Sequence, residues 1–159
     1  MVVAGLVVIL GFRLAVESTR INPPEMRIWG LSSKQFMAVP VFSVIIFAGF
    51  VAAGILNRHR PEIHRPMMLL ATLIAISAGV SRIGIINGLY DATVWERIFG
   101  PFLGTLFIAV IFLAVKSFLT RSVDRYYAWG CAGLIVSCAL IMQVARTGAW
   151  DVVASVLLR

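Results

Sequence analysis

Two histidines and one arginine are the residues of this 159-residue chain whose type and position could support chemistry. His59 and His64 lie five apart across Pro61 in the basic stretch 57–66, which runs straight into Met67 and Met68. Imidazole beside thioether invites haem or copper ligation. The set is incomplete, because a five-residue spacing across proline is no standard ligand pattern and only Glu62 offers a carboxylate nearby. The sequence therefore names no metal site, and both histidines fit better as interfacial residues that cap a helix or meet lipid phosphate. His64 is the stronger cofactor-binding candidate of the two. At 100° per residue it shares a stripe with Ala71, Ala75 and Arg82, a stripe expected to face the protein interior. Arg82 is the second candidate, since an ionisable side chain inside an apolar run must snorkel, pair or face a polar cavity. Tyr90 lies about 12 Å further along a helix, within snorkelling reach, and Asp91 and Glu96 could pair with the guanidinium.

No other catalytic pattern is present. The chain has no glycine-rich phosphate loop after a strand, no metalloprotease helix motif and no nucleophile elbow. Its seven carboxylates fall in loops or at the ends of apolar runs, so a proton relay on buried Asp or Glu is unsupported. Cys131 and Cys138, about 10 Å apart by helical rise, are too distant for a disulfide and read as small packing residues.

The elements that must position these residues are membrane helices. Hydrophobic residues make up 60% of the chain and charged residues 13%, about half the charged share of a soluble domain, and the mean hydropathy is +0.96. The expected fold is all-α, a single polytopic helix bundle over 1–159 with four firm spans at about 36–56, 67–90, 99–115 and 126–144. Residues 1–16 form a partial span: the run lacks a basic leader and a small-residue cleavage site, and it meets Arg13, so it is a poor signal peptide and reads as truncated or re-entrant. Residues 147–159 are too short to cross and read as an interfacial tail anchored by Trp150. Trp29, Tyr90, Trp95, Phe99, Tyr126, Tyr127 and Trp129 mark the span ends, where amphipathic rings favour headgroups. Close helix approach is expected from Ala71/Ala75/Gly79, Ser77/Ser81 and Gly84/Gly88, faces that could also carry homo- or hetero-oligomers. Pro66 is anomalous, because a helix begun at Pro61 would need its amide.

The net charge of +7 is spread over the ends of apolar runs. The expected partners are therefore the bilayer and its anionic headgroups, not nucleic acid. The dense basic groups Arg58/Arg60/Arg65 and Lys116/Arg121/Arg125 favour the cytoplasmic side, which places the C-terminal tail outside.

The stretch Arg58-His59-Arg60-Pro61-Glu62-Ile63-His64-Arg65, its continuation Met67-Met68-Leu69-Leu70-Ala71-Thr72, the upstream Phe36-Met37-Ala38-Val39-Pro40 and the closing Arg146-Thr147-Gly148-Ala149-Trp150 together resemble a family of uncharacterised bacterial multi-pass membrane proteins. The resemblance runs over essentially the whole chain and implies a bacterial cytoplasmic membrane location. It implies no activity. Members of that family are longer, with further N-terminal spans that carry histidines, so the chain looks like a C-terminal part of such a protein. Pro66 departs from the family's basic or apolar residue at that place.

Three functional readings follow. A non-catalytic structural, assembly or accessory membrane protein needs the fewest claims. A haem-linked or quinone-linked redox protein would use His64 and Arg82. A small-solute transporter or channel would need a polar path along Ser77, Ser81, Arg82 and Asn87.

Overall fold

The computed structural model describes residues 2–21, 27–90 and 93–158. The chain runs through α1 (Val2–Ile21), a hairpin of β1 (Arg27–Ile28) and β2 (Leu31–Ser32), then α2 (Ser33–Phe36), α3 (Ala38–Leu56), α4 (Pro61–Val80), α5 (Gly84–Gly88) and α6 (Val94–Phe99). A 3₁₀ turn, Gly100–Phe102, leads into α7 (Leu103–Thr120), α8 (Arg125–Ala145) and α9 (Gly148–Leu157). The result is an all-α bundle. Four stretches, Ser33–Leu56, Pro61–Val80, Val94–Thr120 and Arg125–Ala145, are long and apolar enough to cross a membrane.

Helix α4 lies at the centre, against α3, α7 and α8. Pro66, Leu70, Leu73, Ile74 and Ser77 form its buried face, spaced four, three, one and three apart as one helical stripe. Leu70, Leu134, Phe102, Tyr127 and Met142 close the core. Large apolar side chains turned outward, such as Phe107, Ile111, Phe118 and Leu140, sheathe the bundle and would be costly in water. A multi-pass membrane protein accounts for both faces.

Four-residue connectors, 57–60 and 121–124, turn α3 back on α4 and α7 back on α8, so these neighbours are antiparallel. One end of the bundle therefore holds Arg58, Arg60, Arg65, Lys116, Arg121 and Arg125. The hairpin, the end of α4 and the start of α7 share the other end; a Cβ on Gly104 would lie 3.0 Å from Val80. A capping box opens α2, with the Ser32 hydroxyl accepting from the Gln35 amide at 3.3 Å and the Gln35 side chain accepting from the Ser32 amide at 3.1 Å.

Several elements depart from the sequence expectation. The third run is not one helix over 67–90. Pro61, preorganised for a first helical position and followed by Glu62 on the positive end of the helix, opens α4 six residues early. The helix then stops at Val80, where Gly79, Gly84 and Gly88 crowd the chain with weak helix formers. Pro66 is accommodated inside α4, its missing amide falling opposite the exposed Glu62. Helix α1 continues past 16 to Ile21 and packs along α3, with Gly11 beside Val44. Trp150, expected to anchor the tail, turns toward protein: it is buried, donates Nε1–H to the Lys34 carbonyl at 3.1 Å and leans on the Phe42 ring, which docks α9 on α2.

The glycines that let helices approach are also other ones. A Cβ on Gly79, Gly84 or Gly88 would meet nothing within 4 Å, whereas one on Gly130 would fall 2.3 Å from Leu70 Cδ1. The close contact of α8 with α4 comes from a glycine of the partner helix, not from the glycines of 79–88, while Ala71 and Ser77 of the expected faces are buried.

Candidate functional site

The two candidate residues sit at opposite ends of α4. His64 is in its second turn and Arg82 just beyond its last, about 24 Å apart by helical rise from His64 to Val80. No single small group touches both.

His64 is a tie between helices. Its Nδ1 lies 2.8 Å from the Gly54 carbonyl in the last turn of α3, where carbonyls lack intrahelical partners. A carbonyl only accepts, so Nδ1 carries a proton and donates it here. Asn57 Nδ2 caps the neighbouring Ala53 carbonyl at 2.9 Å. Met68, one turn beyond His64, packs on the same glycine: a Cβ on Gly54 would be 3.0 Å from its Sδ. His59 is exposed, and its Nε2 accepts from Arg58 Nε at 3.0 Å. Among the described residues no three of His, Cys, Asp or Glu come together as a metal-holding group.

Arg82 borders a cavity. Because α4 ends at Val80, Arg82 is not at a helix seam as the stripe argument expected; it is exposed, in the turn that follows. Of its stripe Ala71 is buried, His64 is half-buried and Ala75 is exposed. Ala75, Ser77, Ser81 and Arg82 form one wall of a cavity of about 730 Å³, within the range of small-molecule sites, and α1 and α3 supply the others. The ion pairs among the described residues, Arg20–Glu17 and Lys116–Asp124, do not include Arg82. Asp91 and the side chain of Asn87, expected beside it, lie outside the described residues.

The rim has a feature that sequence reasoning missed. Trp29 and Gly30 form the two-residue turn of the hairpin with φ of 56° and 71°. Hairpin turns demand such values, and the signal was the glycine alone. For a bulky tryptophan the left-handed region costs on the order of 1–3 kcal/mol. Trp29 lines the cavity and stacks on Tyr90, centroids 6.0 Å apart and planes 14° apart. Burial, then the nearby Glu96 charge, raises the Tyr90 phenol above its ordinary value. Of the aromatic residues expected at span ends, Tyr90 and Tyr127 are buried against protein, while Trp95, Tyr126 and Trp129 are exposed.

The remaining reactive side chains are held in packing roles. The Tyr127 hydroxyl donates to the Ala109 carbonyl at 3.1 Å, tying α8 to α7, and Cys131 approaches the same oxygen at 3.9 Å. Cys131 and Cys138 are buried free thiols. Comparison with family models, with curated proteins and with solved structures returns no match to this chain.

Proposed function

We propose that the chain is a non-catalytic assembly or accessory protein of a bacterial cytoplasmic membrane. In this reading the basic connectors 57–60 and 121–124 face the cytoplasm and α9 lies outside. The observation that supports it is the commitment of His64: its Nδ1 holds the end of α3 against α4, a structural duty that explains the residue without a cofactor. Buried Tyr127 is bonded to helix backbone in the same manner. The exposed apolar faces, α1 above all, offer surface to other membrane proteins.

A redox reading has one observation in its favour. An imidazole whose Nδ1–H is fixed by a carbonyl presents Nε2 as ligating histidines do, and haem would need that atom. The visible spectrum of purified protein decides between the two. No Soret band is expected; a band that His64→Ala abolishes would replace the accessory reading with the redox one. Photo-cross-linkers at Leu10 of α1, in native membranes, should yield adducts with a second membrane protein, and adducts with lipid alone would remove the accessory role.

A further inference from the structure

The cavity beside Arg82 has a polarity gradient along its length. From Thr19 at the rim to Val7 at the bottom it follows α1 for about 18 Å by helical rise. The bottom, between Val7, Gly11, Val44 and Phe47, is apolar but for Ser43, whose hydroxyl donates to the Val39 carbonyl of its own helix at 2.7 Å. Near the rim, Ser18 and Thr19 donate to the Ala15 carbonyl at 3.1 and 3.0 Å, and Ser77 donates to the Ile74 carbonyl at 2.7 Å. Those hydroxyl protons are spent within their own helices. Among the described residues Arg82 is the single ionisable one of the lining, a cation with five N–H donors and no carboxylate paired to it there. It stands at the end of a membrane-spanning helix, the level of lipid headgroups, while the apolar bottom lies at the depth of acyl chains.

We propose that this cavity binds an anionic phospholipid, with one acyl chain between α1, α3 and α4 and the headgroup phosphate on the Arg82 guanidinium. The planar fork of arginine matches phosphate oxygens in pairs, and the low dielectric at the membrane surface strengthens the contact. Trp29, held in its strained turn at the rim, supplies the amphipathic ring that favours this depth. The site requires only that the chain spans a bilayer and stands apart from the accessory reading.

The test uses the full chain in vesicles of equal phosphatidylcholine and phosphatidylglycerol with identical acyl chains. A photoactivatable acyl probe is carried by one lipid or the other, and labelled peptides are mapped. Both lipids carry the phosphate, but the choline cation offsets its charge beside Arg82 and glycerol does not, so the phosphatidylglycerol probe should label the 7–15 and 39–47 segments in preference to the phosphatidylcholine probe by roughly tenfold, the scale of one net charge near a protein surface. Arg82→Gln should abolish the preference and Arg82→Lys should keep most of it. Ala75→Phe, which fills the cavity from an exposed position, should reduce labelling by both probes. Equal labelling by the two lipids, label confined to the outer faces of α7 and α8, or an Ala75→Phe protein labelled like wild type would overturn the proposal. So would displacement of the label by inorganic phosphate, which would reduce the site to a simple anion site.

Discussion

Tyr127 and Thr105 are both buried hydroxyls, yet their partners differ. Tyr127 reaches the Ala109 carbonyl on α7, whereas Thr105 Oγ1 has no hydrogen-bond partner among the described residues. Removing a made hydrogen bond and removing an orphaned polar atom have opposite signs. Tyr127→Phe should lower the stability of the detergent-solubilised protein by about 1 kcal/mol. Thr105→Val, nearly the same shape without the hydroxyl, should leave the melting temperature unchanged or raise it. Thermal melts of the two variants beside wild type check this, and a Thr105→Val protein that melts well below wild type would mean that the hydroxyl has a partner. Residue types were legible in the sequence, but their neighbours were not. His64 and Arg82 stood out by type, whereas the Gly54 carbonyl and the α1 wall that define them come from elements 10 or more positions away. Periodicity fixes a face of one helix and carries no information on which helix it meets.

At the scale of elements, boundaries follow local chemistry and packing follows the partner. Three of the four spans fall within a few residues of the apolar runs read from the sequence, whereas Pro61–Val80 is displaced from the expected 67–90, and the side-chain caps at Ser32 and Asp124 emerge only from the structure. The stop at Val80 and the docking of α9 were not legible, because each depends on glycines and tertiary contacts that override an apolar run. The glycine assignment gives a direct contrast. Gly130→Ala drives a methyl into fully buried Leu70, an overpacking of about 1–3 kcal/mol, while Gly79→Ala meets open space and gains helix propensity of up to about 1 kcal/mol. Melting temperatures should move in opposite directions, and equal shifts would refute the proposed α4–α8 seam. Asp124 adds a dependence on pH. Burial works against its ionisation, but the Lys116 hydrogen bond and charge and the Tyr127 and Tyr126 amides outweigh it, so its pKa lies below the ordinary carboxylate value. A carboxylate depressed on folding stabilises fully above its unfolded pKa of about 3.9 and ceases to do so as pH falls through the lower folded value. Asp124→Asn keeps a helix-capping oxygen and removes the charge. It should therefore melt below wild type at pH 7 and converge with it in acid, and a gap that persists in acid would assign the effect to the cap geometry instead.

For the whole molecule, the open matter is which way the bundle stands in its membrane. With α4 ending at Val80, Arg82 belongs to the hairpin end together with Arg20, Arg27, Lys34, Arg97 and Arg146. Among the described residues that matches in number the basic residues at the opposite end, so a simple total gives no orientation. Density does. Short loops with clustered Lys and Arg resist translocation, and Arg58, Arg60 and Arg65 lie within eight residues around one tight turn, while the hairpin-end cations are spread over three connections. A reporter fused after Arg65 should read as cytoplasmic and one fused after Arg159 as extracytoplasmic, and the reverse pattern would overturn the proposed orientation. Because the totals are level, the preference should also be fragile. Arg58→Gln with Arg60→Gln leaves the 57–60 connector without arginine and the hairpin end in the majority, and His64, which ties α3 to α4, is untouched. The double variant should show both reporters active in both compartments or the orientation inverted. A double variant that keeps the wild-type pattern would mean that the Lys116/Arg121/Arg125 group or the docked α9, rather than the α3–α4 turn, holds the bundle in place.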